Sequence, residues 1–298
     1  MGGRSNVDNS SSNPIHSFSH ASGVGNSVGG GGGGLNSVLV SKLGLLTHPL
    51  TPMYTNIVSA LLTIVYVKTI LEIAAYVRSK QTTSSVVSGS GGVEWSRKFV
   101  HFAACSYVLF WPLFDASHWG WRLNVTVPVV MSLRLLYKGA ILNDPEDEDV
   151  RTMSRTSSPS ELLYGPLQMT LIMCYVGLTK FMTPAGILIM ASLVGDGVAA
   201  IVGMQYGRHI YKVPLGSEKS IEGTIGCAIG TIGGMWFYSY MCGIELMDSA
   251  LGGGGGWKAY LAYGCLSAAV EATALRNWDN LLLAMTMELA FINNDVES

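Results

Sequence analysis

A carboxylate flanked by glycines interrupts a long apolar stretch of the chain. Asp196 lies between Gly195 and Gly197, within the run from Ala185 to Tyr206. A charge inside a membrane-spanning segment is costly and usually marks a functional position. The glycines would let a ligand or another backbone approach closely, although Asp196 could instead cap a helix beginning at residue 198. We favour the functional interpretation, because an idle charge at membrane depth costs too much free energy.

The segment 207–224 follows this run and combines cations, hydroxyl groups and glycines before another apolar stretch. Backbone N–H groups at the start of a helix favour phosphate oxygens, and Lys219 would add a positive charge. The P-loop pattern GxxxxGK[ST] is absent from the sequence. An ordinary basic loop at a membrane surface would look similar, so the pattern indicates phosphate binding without identifying the ligand.

Further polar residues occur at the ends of two other apolar stretches. They are Arg97, Lys98 and His101 at the start of one, and Glu271, Asp279 and Asn280 at the end of another. A basic flank alone serves to orient a membrane segment, but His101 lies one turn inside it. Glu271 and the acid and amide that follow are the oxygen ligands that a divalent cation requires. By contrast, the acidic run 144–149 is typical of a solvated loop, and we expect no chemistry there.

The composition places these residues in a membrane protein. Hydrophobic residues make up 49% of the 298 residues and charged residues 13%, about half the charged share of soluble domains. The net charge of −2 gives no basic field for binding nucleic acid. The five cysteines form no CxxC pair and lie in apolar stretches, as expected of packing residues rather than a zinc or redox site.

The distribution of apolar stretches predicts an all-α fold, a multi-pass transmembrane helical bundle of about 7–8 spans. The expected spans are 53–77, 99–115, 120–137, 161–179, 185–206, 224–243, 257–274 and 280–292. Twelve of the 18 basic residues then fall on one face, namely Arg78, Lys80, Arg97, Lys98, Arg134, Lys138, Arg151, Arg155, Arg208, Lys212, Lys219 and Arg276. That asymmetry is typical of the cytoplasm-like side of a membrane.

Small residues recur every four positions in two of these spans. The stripes are Gly195, Ala199, Gly203 and Gly207, and Gly226, Gly230 and Gly234. Such stripes let helices approach closely, so they predict that the helices flanking the 207–224 segment pack together. They could serve within one chain or between chains, which leaves the oligomeric state open.

The chain divides into three regions by composition. We expect residues 1–45, which are rich in Gly and Ser, to form a disordered tail, and their scarcity of acids resembles a transit peptide. Residues 46–94 hold the first span and a linker, and residues 95–298 form the membrane-embedded domain with the polar residues described above. A plastid membrane and an endoplasmic-reticulum membrane both suit this organisation.

The order and spacing of several short motifs resemble one known family. They are RKFVH at 97–101, LRLLYKG at 133–139, MSR at 153–155, ELLYGPL at 161–167, GDGVAAIVGMQYG at 195–207, KSIEGT at 219–224, VEA at 270–272 and WDNL at 278–281. Together they resemble the CTP-dependent polyprenol kinases, which include phytol kinase, farnesol kinase and the catalytic part of dolichol kinase. The resemblance covers roughly residues 95–292, and the ELLxGPL block is similar to the phytol and farnesol branch.

The resemblance implies a membrane-embedded kinase domain that transfers phosphate from CTP, with Mg²⁺, to an isoprenoid alcohol. Asp196 would bind the metal or orient the alcohol and would share the catalytic role with Lys219. The nucleotide-binding residues would be Lys219, Ser220, Gly223 and Thr224, bordered by Arg97, Lys98 and His101. The metal-binding residues would be Asp196, Glu222, Glu271, Asp279 and Asn280. This chain departs from the family at Ala200 and Trp278, where an acid is usual.

Two alternatives remain beside the kinase. CTP-dependent cytidylyltransferases such as CDP-diacylglycerol synthase share a similar Gly-Asp block, but their terminal His-Gly-Gly-like signature is absent from residues 271–298. A transporter could use Asp196 and Glu271 to bind a coupling ion. A transporter often has duplicated halves, and no internal repeat relates residues 53–170 to 171–292.

Overall fold

The computed structural model describes residues 51–84, 91–154, 156, 158–213, 218–244, 256–275 and 278–297. Within these ranges the regular secondary structure is helical apart from one short hairpin. The predicted tail, residues 1–45, and two basic residues used to orient the chain, Arg155 and Arg276, lie outside the described residues.

The helices follow one another with short connections. In chain order they are α1 (Pro52–Ser84), α2 (Gly91–Cys105), α3 (Thr126–Leu136), α4 (Glu148–Met153), α5 (Gly165–Thr179), α6 (Pro184–Tyr206), α7 (Ile221–Cys242), α8 (Gly256–Thr273) and α9 (Asp279–Glu297). Shorter 3-10 segments lie at Ser106–Leu113, Trp119–Val125 and Pro159–Leu163, and a π-helical turn lies at Tyr137–Leu142.

Among the described residues, four helical stretches are long and apolar enough to cross a membrane. They are Pro52–Val77, Trp119–Leu142, Pro159–Thr179 and Pro184–Tyr206, and they coincide with the first, third, fourth and fifth predicted spans. The helical membrane fold is therefore confirmed, whereas the total of seven or eight spans stays a prediction. In the second predicted span, helix α2 gives way at Ser106 to a 3-10 segment that contains Pro112, because proline cannot continue an α-helix without losing a hydrogen bond.

Helix α6 lies at the centre of the bundle. Its residues 185–197 are all buried, and it packs against α2, α5, α7, α8 and α9. A helix that is apolar on all sides must be enclosed by others. The enclosure holds Asp196 at a fixed position inside the bundle.

The helices α6 and α7 meet along the predicted stripes of small residues. A Cβ atom at Gly230 would lie 2.8 Å from the Cβ of Val198 and 3.2 Å from the Cα of Gly195. A Cβ at Gly226 would lie 3.0 Å from the Cβ of Val202. The glycines thus bring the two backbones together, as the spacing predicts, and this contact places the start of α7 beside Asp196.

Replacement of Gly230 by valine should destabilise this contact by about 1–3 kcal/mol, since the added methyl groups overpack it. The matched control is Gly233→Val on the same helix, where an added Cβ meets nothing within 4 Å. Both variants carry the same change in helix propensity, so the difference between their thermal unfolding midpoints in detergent isolates the packing cost. Equal midpoints would contradict the close α6–α7 contact.

The acidic run 144–149 has a structural role that the sequence did not predict. Asp149 is buried and accepts hydrogen bonds from Nε and Nη2 of Arg134 at 2.6 and 2.9 Å. Lys138 lies 2.7 Å from Asp149 and 2.8 Å from Asp147. A run of charges is normally solvated, and Asp144, Glu146 and Glu148 are exposed, but Asp147 and Asp149 pair with Arg134 and Lys138 and so link the start of α4 to the end of α3.

Candidate active site

A polar cavity of about 610 Å³ lies between α2, α6, the hairpin, α7 and the α8–α9 connection. Nine residues that the sequence selected line it: Arg97, Lys98, Asp196, Lys219, Ser220, Gly223, Thr224, Glu271 and Asp279. The lining also includes Ala199, Ala200, Gly203, Met204, Ile210, Glu218, Ala274 and Leu275. The fold therefore brings together polar groups from segments more than 150 positions apart in the chain.

A buried charge cluster surrounds Asp196. Nζ of Lys98 donates a hydrogen bond to Oδ2 of Asp196 at 3.2 Å, and Nε2 of His101 lies 3.6 Å from the same oxygen. The imidazole also lies 3.0 Å from the carbonyl oxygen of Leu193. The side chains of Lys98 and Asp196 are only 10% and 6% exposed, so each charge depends on the other for compensation.

A second lysine–carboxylate pair faces the same cavity. Nζ of Lys219 lies 2.7 Å from Oε1 of Glu271 and also contacts the carbonyl oxygen of Glu271. Strand β2 (Glu218–Ser220) carries this lysine and pairs antiparallel with β1 (Ile210–Lys212), with Tyr211 opposite Lys219. The paired strands position the lysine more rigidly than an irregular loop over 207–224 would. The strand propensity of Ile210 and Tyr211 is the feature of the sequence that could have predicted the hairpin.

Two backbone N–H groups at the start of helix α7 donate hydrogen bonds to acceptors within the segment 207–224. Oγ of Ser220 accepts a hydrogen bond from the N–H of Gly223 at 3.1 Å, and the N–H of Ile221 donates to the carbonyl of His209 at 3.0 Å. Ser220 thus caps the helix. Two of the N–H groups expected to hold phosphate are therefore already used, and the hydroxyl of Thr224 is bonded to the carbonyl of Ser220 and the hydroxyl of Tyr211, so the cations are the main groups that could attract a phosphate.

The structure places Glu222 away from the predicted metal site. Its carboxylate lies 2.7 Å from Nδ1 of His209 and accepts hydrogen bonds from the N–H groups of Arg208 and His209. The His209 contact is the main cause that lowers the pKa of Glu222 to about 2. Ser220 therefore lines the cavity, whereas Glu222 fixes the base of the hairpin through Arg208 and His209.

Oxygen atoms suited to a cation remain around the cavity. Oε2 of Glu271 and Oδ1 of Asn280 are buried and have no hydrogen-bond partner among the described residues. Asp279 at the start of α9 lines the cavity, whereas Asn280, which was expected to bind the metal, is next to it in the chain and is not among the described lining residues. The described residues contain no cluster of three or more His, Cys, Asp or Glu side chains suited to a metal. The set still fits Mg²⁺, which is commonly held by one or two carboxylates together with substrate phosphates.

The two departures from the family pattern differ in position. Ala200 lines the polar cavity, so a methyl group stands where the resemblance implies a carboxylate. Trp278 is 47% exposed and is not among the described residues that line the cavity. The substitution at Ala200 therefore bears on the site, and the remaining acids around the cavity carry any metal binding.

An apolar groove meets the polar cavity at Asp196. The groove is lined by Val67, Ile70, Leu71, Val100, His101, Ala103, Ala104, Val127, Pro128, Met131, Leu135, Met153, Gly165, Pro166, Met169, Thr170, Met173 and Asn280. Arg97, Lys98, Asp196 and Asp279 line both spaces. His101, expected beside the nucleotide, faces the groove. The sequence could not reveal the groove, since one apolar residue in a membrane helix looks like another.

The chain is similar to plant proteins that are named phytol kinases. It is 32% identical over 158 residues to probable phytol kinase 1, chloroplastic, of Glycine max, covering 51% of each chain. It is 29% identical over 202 residues to probable phytol kinase 2, chloroplastic, of Oryza sativa subsp. japonica, covering 64% of this chain and 63% of the relative. It is 32% identical over 137 residues to phytol kinase 1, chloroplastic, of Arabidopsis thaliana, covering 45% and 44%.

The chain spans about half the length of the first of these curated relatives. No protein-family model matches it, and no solved structure matches it. The relatives nevertheless confirm the resemblance of this chain to the phytol and farnesol kinase branch of the polyprenol kinases.

Proposed function

We propose that this chain phosphorylates the hydroxyl group of an isoprenoid alcohol, such as phytol or farnesol, with CTP, in a plastid membrane. The observation that carries the proposal is the junction at Asp196, where an apolar groove among membrane helices meets a polar cavity lined by three cations and four carboxylates. The similarity to chloroplastic phytol kinases supports the alcohol and the compartment. The choice of CTP rests on the resemblance of the motifs.

A kinase of this kind must bring an apolar alcohol and a charged nucleotide to one point. The groove would hold the prenyl chain in lipid-like surroundings, and the cavity would hold the triphosphate. Both spaces contact Asp196 and Lys98, so the hydroxyl and the γ-phosphate would meet there. Positioning of this sort supplies much of the catalysis in phosphoryl transfer.

The transfer makes one bond and breaks one. The alcohol oxygen bonds to the γ-phosphorus while the bond from that phosphorus to the bridging oxygen breaks, and CDP leaves. Asp196 would orient the hydroxyl and accept its proton. The carboxylate is held for this task by Lys98 at 3.2 Å and His101 at 3.6 Å, which fix its direction in the junction.

The cations of the cavity would balance the charge of the triphosphate. Lys219 and Arg97 both line the cavity, and charges fixed in a site sheltered from water stabilise the transition state strongly. Bound Mg²⁺ would neutralise phosphate charge, and Glu271, Asp279 and Asn280 are the residues that would hold it. Glu222 has no part in this proposal, because it is engaged by His209.

The proposal is tested with membranes that contain the chain, a panel of alcohols and differently labelled nucleotides. Phytol, farnesol, geranylgeraniol and dolichol are each incubated with CTP, UTP or ATP labelled at the γ-phosphate. We expect a labelled prenyl monophosphate with CTP. A lipid that takes up label from the α-phosphate of CTP would show a cytidylyltransferase instead. No labelled lipid with any pair, from protein that is folded and inserted, would refute the kinase.

A further inference from the structure

We infer that Ala104 at the deep end of the apolar groove limits which alcohols reach Asp196, an inference that rests on the proposed function. One face of α2 carries Arg97, His101 and Ala104 at positions i, i+4 and i+7, and all three line the groove. Residues with this spacing lie one above another on a helix. The same face therefore runs from a cation at the phosphate end to a single methyl group at the other end.

The depth of the groove follows from helix geometry. Ala104 is six residues beyond Lys98, which places it about 9 Å further along the helix axis. On α5, Met173 is seven residues beyond Pro166, a distance of about 10 Å, and both residues line the groove. The groove therefore reaches about a third of the way across a hydrocarbon core of about 30 Å.

Below Ala104 the bundle is closed. Tyr107, which follows α2 in the 3-10 segment Ser106–Leu113, is 1% exposed, and its hydroxyl donates a hydrogen bond to the carbonyl oxygen of Met173 at 3.0 Å. Its ring meets that of Trp111 edge to face at 6.0 Å between centroids. Moving this side chain would leave its buried hydroxyl without a hydrogen-bond partner, which costs free energy, so the floor of the groove is fixed.

Because the floor is fixed, the volume above it determines how long an alcohol the groove can hold. The deep end is bounded by Val127, Pro128 and Met173 on the facing helices, and Ala104 is the smallest side chain among them. A leucine there would occupy the space in which the prenyl chain lies beyond its first units. Short alcohols would still bind with the hydroxyl at Asp196, whereas longer ones would be excluded.

The variant Ala104→Leu should therefore lower kcat/KM for farnesol and phytol at least tenfold and leave that for geraniol within about threefold of the unchanged protein. Ala104→Ser adds little volume at the same position. It should leave the ratio of kcat/KM for farnesol to kcat/KM for geraniol unchanged. Val130→Leu is the matched control on α3, since Val130 is 56% exposed and lies outside the groove lining among the described residues. The inference would be overturned if Ala104→Leu left kcat/KM for farnesol relative to geraniol unchanged, or if it lowered kcat/KM equally for farnesol, phytol and geraniol.

A second measurement does not depend on turnover. A farnesol analogue with a diazirine at the end distant from the hydroxyl should label α2, α3 or α5 near Ala104, Val127 or Met173, as located by mass spectrometry. Ala104→Leu should reduce this labelling. Labelling on α7 or α8 would overturn the inference. Labelling at the deep end by a protein that forms no prenyl phosphate would uphold the groove and refute the kinase, so the two failures are distinguishable.

Discussion

Asp196→Asn should reduce the formation of prenyl phosphate by about 10³-fold or more while the protein still inserts into the membrane. The amide keeps the shape of the side chain but cannot accept the proton of the alcohol or offset the charge on Lys98, 3.2 Å away. Removing one preorganised polar group from an active site commonly costs 10²–10³-fold, and here the same side chain also contacts both substrate spaces. The measurement is kcat/KM with γ-labelled CTP and farnesol in purified protein.

Ser192→Ala is the matched control for this variant. Ser192 lies one turn before Asp196 on α6, is fully buried and donates to the carbonyl of Ile189 at 2.7 Å. The single variant at Asp196 leaves a buried cation uncompensated, which also costs stability. The double variant Lys98→Met with Asp196→Asn also removes that cation. If the double variant folds but is inactive, the loss of activity is assigned to the Lys98–Asp196 pair rather than to unfolding. Full activity in Asp196→Asn would remove this residue from the mechanism.

Lys219→Met should lower kcat/KM for the nucleotide by about 10²-fold, with most of the change in KM for the nucleotide. A charged hydrogen-bond donor is worth about 1.5–3 kcal/mol where it is sheltered from water. The side chain of Lys219 is only 14% exposed and faces the polar cavity. Its loss should leave KM for the alcohol unchanged, because Lys219 does not line the apolar groove.

The hairpin supplies the control for this prediction. Lys212 lies on strand β1, and its side chain is 83% exposed and only 3.7 Å from that of Glu218. Lys212→Met changes the net charge of the hairpin by the same amount, yet it should alter kcat/KM less than about threefold, since exposed ion pairs contribute little. Equal losses in the two variants would mean that the hairpin acts through its overall charge, and Lys219 would lose its assigned contact with the nucleotide.

The two ion pairs explain why the lysines and carboxylates of the site should be tested together. Lys98 is paired with Asp196, and Lys219 with Glu271, so removing one partner leaves the other charged in a poorly solvated place. An arriving triphosphate would compete with the carboxylates for these lysines. The expected binding energy is thus the difference between two sets of contacts, and single substitutions report that difference rather than the strength of one contact.

Much of the site could be predicted from the chain because charges in apolar segments are informative. Asp196 and Glu271 stood out since a buried carboxylate needs a reason, and both line the cavity. Glu222 is also an acid within one of the motifs, KSIEGT at 219–224, yet its carboxylate is turned toward His209. The direction of a side chain at the first turn of a helix depends on the preceding backbone, and the hairpin that sets it was not evident in the sequence.

The sequence by itself determined that this is a helical membrane protein, which residues are too costly to be idle, and that α6 and α7 pack along glycines. Those properties follow from composition and spacing, which act locally along the chain. Only the tertiary structure decided that Lys98 pairs with Asp196, that Lys219 pairs with Glu271, and that a groove ending above Tyr107 opens beside them. Such pairings join residues dozens of positions apart, and they are fixed by how the helices pack rather than by any local preference.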